Sequence, residues 1–396
     1  MLLRDVEHQA YAQRLIQHAV SANRVPHAYL FHGPDGVGKE KLALGLAELL
    51  LCGQPVEQQI EGERAEAIGL ERLRTGCGTC EDCRRVAAQT HPDLHMVYRQ
   101  LNRDHPDPVI RKRKALKIGV DVLRHFVIET VALTPNRGRA KLFIIREADR
   151  ITESAQNALL KTLEEPPGTT FIILLVTAVD RLLPTTLSRC QVVRFDSLPT
   201  EFVRTTLQEM RPDLAIEHVE WYARCSDGSL GRALQWAEDG LCELNRRLLE
   251  RLSRLSPATT GRVRAADPTT TARSDELAKG WTDESKALGN CYRKRDPDIT
   301  DTEAGRRGLK TIFQLATTWY ADILRFGSGH RRAIVNDGWQ PQIEQGSKSI
   351  DPPQAIEAIN RIARAEHQLD LNANTQLCVE TLLSDLTRIG RSEAIP

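Results

Sequence analysis

The chain has 396 residues, enough for two or three domains with cores of their own, and its 41% hydrophobic and 27% charged content is that of an ordinary soluble protein. Lys plus Arg (54) nearly cancels Asp plus Glu (53), which excludes a global field pulling the chain onto nucleic acid or an anionic membrane. The segment Met1 to His8 lacks the apolar run of a signal peptide and no run of about 18 apolar residues occurs, so a cytoplasmic protein without membrane contact is expected.

Ala10, Leu15, Ile16 and Val20 fall at helical spacing and predict a helix over Glu7 to Ser21. Ala28 to Phe31 then reads as a short buried strand, Gly33 to Gly38 as a glycine-rich turn, and Lys39 to Leu51 as an amphipathic helix. This is the strand, loop and helix of a P-loop, Gly-x-x-x-x-Gly-Lys, in which backbone N–H groups wrap the phosphates and Lys39 neutralises them. The next position ordinarily carries a Ser or Thr hydroxyl for Mg²⁺, and here it is Glu40. A carboxylate there repels phosphate unless a metal lies between, so a phosphate-shaped loop is expected while binding of ATP or ADP with Mg²⁺ stays open. The alternative is a glycine-rich turn that binds nothing.

Four of the nine cysteines, Cys52, Cys77, Cys80 and Cys83, lie early in the chain, and the odd total argues for a metal site in a reducing compartment over a disulfide framework. Cys77, Cys80 and Cys83 form two overlapping C-x-x-C units, and with Cys52 they make a Cys₄ set for a structural Zn²⁺. His91 or His95 could replace Cys52 as fourth ligand, and a redox C-x-x-C is the rival reading.

A strand is expected at Pro92 to Tyr98, followed by a charged insertion from Arg99 to Lys117. It ends in Arg111-Lys112-Arg113-Lys114, a solvated loop or a local DNA contact. A helix at Val120 to Thr130 leads to the strand Lys141 to Ile145, which runs into Arg146-Glu147-Ala148-Asp149. P-loop proteins place a metal-binding Asp and a water-polarising carboxylate at such a strand end. Arg146 occupies the first position, only Glu147 matches, and Asp149 lies beyond the strand. A helix from Thr152 to Glu165, a strand from Thr170 to Thr177 and a strand from Val192 to Phe195 follow. This alternation predicts an α/β fold, a parallel sheet with helices on both faces, with function at the strands' carboxyl ends. After Asp239 the pattern is helical to about Leu255, then aperiodic over 256–301, read as a flexible insertion. It is helical again over Gly308 to Phe326, Ile350 to Asp370 and Asn374 to Ile389.

Asn157-Ala158-Leu159-Leu160-Lys161-Thr162-Leu163-Glu164-Glu165-Pro166-Pro167, with Ser188-Arg189-Cys190, the cysteine knuckle and the His27 to Phe31 lead-in, resembles the bacterial DNA polymerase III clamp loader, a branch of the AAA+ ATPases. The resemblance is specific over about Val6 to Leu234. It implies a P-loop AAA+ domain over 1–197 carrying the zinc module (52–83), a helical lid over 198–240, and a helical collar over 241–396 through which subunits associate. Gly33, Gly38 and Lys39 match the nucleotide loop, Glu147 the catalytic carboxylate, and Thr177 falls near the residue that senses the terminal phosphate. In the second sensor motif, Gly228 to Leu234, Gly231 stands where gamma-type subunits have Arg. Ser188-Arg189-Cys190 is whole, and the resemblance makes Arg189 an arginine finger acting in trans on a neighbouring subunit's nucleotide. The alternative is that Arg189 pairs with a nearby carboxylate such as Asp196.

The departures at Glu40, Arg146 and Gly231 go with the delta-prime branch rather than the ATP-hydrolysing gamma/tau branch. The implied function is that of an ATPase-defective subunit supporting ATP-driven loading of the sliding clamp on primed DNA. Its partners would be the gamma/tau and delta subunits, the clamp, and DNA through the assembled complex. A gamma/tau-type motor and a zinc-containing adaptor without catalysis are the two alternatives.

Overall fold

The computed structural model describes residues 3–137, 139–253, 268–371 and 373–389. Two compact units are present, one of residues 1–203 with 227–232, the other of 204–226 with 233–396.

The first unit is built on five parallel strands: β1 (Ala28–His32), then, numbering past a small hairpin of β2 (Val56–Gln59) and β3 (Arg72–Thr75), β4 (Leu94–Val97), β5 (Lys141–Ile145), β6 (Thr170–Val176) and β7 (Gln191–Arg194). Their spatial order is β4-β5-β6-β1-β7. The chain leaves β1 for the far edge, returns through β5 and β6, and crosses to β7, so β1 is flanked by β6 and β7. The inner strands β1, β5 and β6 are near-continuous apolar runs because both of their faces are covered. Leu30, Phe143, Ile145, Ile172 and Leu174 pack with Val122, Val127, Leu159 and Leu163 from the helices on one face. The helix Lys39–Leu51 packs against β5 and β6 on the other. Complete burial of each such side chain is worth about 1.5–3 kcal/mol.

The expected strand and helix at Ala28 and Lys39 are found, the helix with the same bounds and the strand one residue longer. The helix expected at Val120 to Thr130 is continuous but carries a π-helical stretch at Arg124–Ile128 between Val120–Leu123 and Glu129–Val131. The polar stretch before Gly76, given no structure above, holds the antiparallel β2–β3 hairpin. Gln17 straps it to the first helix, accepting from the Arg74 N–H at 2.8 Å and donating to the Arg74 carbonyl at 3.0 Å.

The lid span contains helices Thr200–Met210, Ile216–Cys225 and Leu230–Glu238. The turn 227–232 within it belongs to the sheet unit. The flexible insertion expected over 256–301 is corrected by a helix from Pro268 to Arg295. Its buried Leu277, Trp281, Leu288 and Tyr292 keep helical spacing, a seam diluted by the Thr, Ser, Asp and Gly residues between them. Residues 256–267 lie outside the described residues. Gly308 lets this helix cross Asp301–Gly327 closely, since an added Cβ would stand 2.3 Å from the Ser285 carbonyl oxygen. Helices Gln340–Ser349, Pro352–Asp370 and Thr375–Arg388 complete the second unit. Its buried polar hub is Asp322, which accepts from the Val335 and Asn336 N–H groups at 3.0 and 2.9 Å. Asn336 in turn accepts from Trp221 Nε1 at 3.0 Å and Asn245 Nδ2 at 2.8 Å.

Candidate functional site

The loop after β1 has P-loop shape. Gly38, at φ +101°, caps the helix that starts at Lys39, a left-handed conformation that favours glycine. Lys39 is buried and its ammonium donates to the Gly33 carbonyl at 2.7 Å and also to the Pro34 carbonyl. Burial holds its pKa below the ordinary lysine value, opposed by the charges of Asp35 and Asp149. The lysine therefore spends its donors on the loop's own carbonyls.

The turn 227–232 sits on the tip of this loop. Ser229 Oγ donates to the Asp35 carbonyl at 2.6 Å and the Gly231 N–H to the Gly36 carbonyl at 3.2 Å. A Cβ on Gly231 would stand 2.8 Å from the Gly36 Cα, so the close approach of the two backbones leaves room for glycine alone. The arginine that the resemblance would place at position 231 does not fit this contact.

The two anomalous metal positions are joined: Arg146 forms an ion pair with Glu40. Arg146 also donates to Gln89 Oε1 at 3.3 Å and lies 6.0 Å from the centroid of the Tyr98 ring. Glu147, at φ +48°, accepts from Arg99 Nε at 2.9 Å and pairs with Arg150 at 3.3 Å. Arg99 further donates to the Ala115 carbonyl at 2.7 Å, so Glu147 anchors the base of the 99–117 insertion. Thr177 donates to Asp149 Oδ2 at 3.4 Å. Asp149, set aside by strand register, is thereby the carboxylate gathered near both Thr177 and Lys39; the 3-10 turn Ala148–Arg150 brings it back, which the register of β5 alone could not reveal. Gly33, Gly38, Lys39, Glu40 and Thr177 thus lie around one loop, but Mg²⁺ does not fit there: the side chains at its two protein-ligand positions neutralise each other.

Cys52, Cys77, Cys80 and Cys83 converge, with all four sulfurs within 4.8 Å of one another. The Cys52–Cys80 and Cys77–Cys83 sulfur distances are 3.9 and 3.8 Å. A disulfide needs about 2.05 Å, whereas a tetrahedral zinc with Zn–S bonds of about 2.3 Å spaces its sulfurs about 3.8 Å apart. Backbone N–H groups point at the sulfurs: Cys77 to Cys52 at 3.3 Å, Cys80 to Cys77 at 3.3 Å, Cys83 to Cys80 at 3.4 Å. Hydrogen bonds from the Thr79 and Cys80 backbone N–H groups lower the Cys77 thiol to about 6, while burial pushes those of Cys52 and Cys83 up. The donor set fits Zn²⁺, which these four residues would hold in a closed site. The two histidines offered as alternatives to Cys52 are engaged elsewhere, His91 with Asp82 at 3.3 Å and His95 stacked on Phe143 at 4.6 Å.

Arg189 follows the short helix Pro184–Leu187 and precedes β7. Its partner is not Asp196, which pairs with Arg194 at 3.0 Å. Arg189 Nε donates to Glu164 Oε1 at 2.6 Å and Nη1 to the Thr185 carbonyl at 2.8 Å. Of the basic run, Arg111, Lys112 and Lys114 are exposed and Arg113 pairs with Asp121 at 2.9 Å. No helix among the described residues is long and apolar enough to cross a membrane.

A five-stranded parallel sheet with a P-loop-shaped turn after its β1 strand, flanked by helices and followed by a helical C-terminal region, defines a protein of the P-loop α/β class by fold. Residues 8–199, just under half of the chain, match the family described as "DNA polymerase III, delta subunit". DNA polymerase III subunit delta' of Bacillus subtilis is 33% identical over 211 residues, 53% of this chain and 54% of that protein. Subunit tau of Salmonella typhimurium is 30% identical over 241 residues, 60% of this chain and 33% of that protein. Subunit delta' of Yersinia pestis is 25% identical over 367 residues, 91% of this chain and 87% of that protein. The match thus spans about half the length of the first of these relatives and a third of the second.

Proposed function

We propose that the chain is the delta-prime-type subunit of a clamp loader, working beside gamma/tau and delta subunits to load the sliding clamp on primed DNA. In this reading it does not hydrolyse ATP itself, and Arg189 acts in trans on the nucleotide of a neighbouring subunit. The observation that carries the reading is the Glu40–Arg146 ion pair. A motor needs a hydroxyl and a carboxylate at those positions to hold Mg²⁺, and here a carboxylate and a guanidinium hold each other. The gamma/tau-type motor is the reading this pair opposes. Zinc at the four cysteines would be structural, because four thiolates fill a tetrahedral site and leave no position for water.

The experiment is reconstitution. The purified chain alone should show no ATP turnover near the rate of about 1 per second of an ordinary motor, yet clamp loading by a complex with gamma/tau and delta subunits should require it. A complex that loads clamps equally well without this chain refutes the assignment, and ordinary turnover by the isolated chain returns it to the motor branch.

A further inference from the structure

The helix Glu153–Glu164 carries part of the motif on which the resemblance rests, and its last residue is the partner of Arg189. Its end is electrostatically odd. Glu164 and Glu165 lie at the helix C-terminus, where the macrodipole disfavours negative charge. Across from it, Arg189 points its Nε at Glu164 Oε1 at 2.6 Å, with Nη2 on the same oxygen, while Nη1 is held by the Thr185 carbonyl at 2.8 Å. Three of the guanidinium's nitrogens are thus engaged within the subunit, in a pair whose side chains remain 30% and 48% exposed.

We propose that Glu164 is a latch on Arg189: it holds the guanidinium at the subunit surface and gives it up when a neighbouring subunit presents a nucleoside triphosphate. The proposal rests on the trans-acting reading of Arg189. An exposed Arg–carboxylate pair is worth at most about fivefold in an equilibrium constant, so the latch is weak enough to open. A triphosphate carries several negative charges against one on Glu164, and its oxygens suit the planar fork of the guanidinium. The Thr185 carbonyl is neutral and does not compete for the charge, so it can keep its Nη1 bond while Nε and Nη2 change partner. Opening the latch is a cost paid between the docked complex and the transition state. Glu164 is therefore a positioning residue whose removal should speed the reaction, the opposite of what a supporting contact would show.

The test uses the reconstituted clamp loader with Glu164→Gln, Arg189→Ala and the double variant, each checked for assembly and thermal melting. Glu164→Gln should raise kcat/KM for ATP about two- to fivefold, and the gain should vanish in high salt and in the double variant, whose rate should equal that of Arg189→Ala. Glu164→Asp should stay near the parental rate. If Arg189→Ala lowers the rate while Glu164→Gln leaves it unchanged or lowers it, the latch is wrong and the finger stands. If Arg189→Ala hydrolyses at the parental rate, the finger reading fails and the latch falls with it.

Discussion

Glu40 and Arg146, 106 residues apart, pair across the P-loop at the two positions where a metal would find its protein ligands. Each anomaly compensates the other, so they should be energetically coupled. Replacing Glu40 by Thr alone leaves an unpaired guanidinium at the metal position, and replacing Arg146 by Asp alone sets two carboxylates face to face. Both single variants should lower the melting temperature more than the double variant does, with a coupling energy of about 0.5–1 kcal/mol in a double-mutant cycle, since the pair is about one-third exposed. Additive single effects would show that the two residues act independently. ATP binding, followed by a fluorescent nucleotide, should appear only in the double variant.

Restoring the sensor arginine should fail for steric reasons. Gly231→Arg places a Cβ 2.8 Å from the Gly36 Cα and forces the turn 227–232 off the P-loop tip. Overpacking of this kind costs about 1–3 kcal/mol, so the variant should melt several degrees lower and gain no hydrolysis even in the Glu40→Thr, Arg146→Asp background. A stable, hydrolysing triple variant would contradict this account of Gly231.

The parts legible in the sequence are those written in local pattern. Apolar runs such as Lys141 to Ile145 marked the sheet, and Gly33 to Lys39 marked the loop, because these signals need no knowledge of distant neighbours. The cysteine set was legible because zinc dictates both ligand type and spacing. The β2–β3 hairpin was not, since its Val-Glu-Gln-Gln and Arg-Leu-Arg-Thr strands are largely exposed and lack an apolar run. Partner choice among charges was least legible. Asp196 is the near carboxylate in sequence, but β7 carries it away and the end of a helix 25 residues upstream supplies Glu164 instead.

Zinc should be found at one equivalent per chain and should support the fold of the 52–83 module. Cys52→Ser should lower zinc content and thermal stability together, because its sulfur accepts N–H bonds from Cys77 and Gln54 at 3.3 and 3.4 Å as well as completing the set. Elemental analysis after purification without chelator decides the point. A chelator should lower the melting temperature of the parental chain and leave that of Cys52→Ser little changed.

His95 should make the first unit acid-sensitive. Burial, reinforced by the charge of Lys141, holds its pKa below the ordinary 6.5, against the pull of Asp93. The unfolded chain therefore binds the proton more readily than the folded one. Stability from this group is full above pH 6.5 and is lost as the pH falls below it. His95→Phe, which keeps a ring stacked on Phe143, should flatten the fall in melting temperature between about pH 6.5 and 5. An unchanged slope would place the acid sensitivity elsewhere.

The most consequential variant is Arg189→Ala. Within this chain the side chains at the two expected metal-ligand positions are tied to each other, and Lys39 is tied to its own loop, yet Arg189 stays at the surface on a weak partner. That asymmetry is what a subunit acting on a neighbour's nucleotide would show. Arginine fingers elsewhere are worth roughly 10³ to 10⁵ in rate, so on the trans-acting reading single-turnover hydrolysis at the neighbouring site should fall by that order, and clamp loading with it. Assembly should survive, because losing an exposed pair costs about 1 kcal/mol or less. Arg189→Lys separates charge from geometry: an ammonium keeps the charge but not the planar fork, and should recover only a small part of the loss. A complex carrying Arg189→Ala that assembles normally and hydrolyses ATP at the parental rate would leave the Glu164 pair as a surface contact and nothing more.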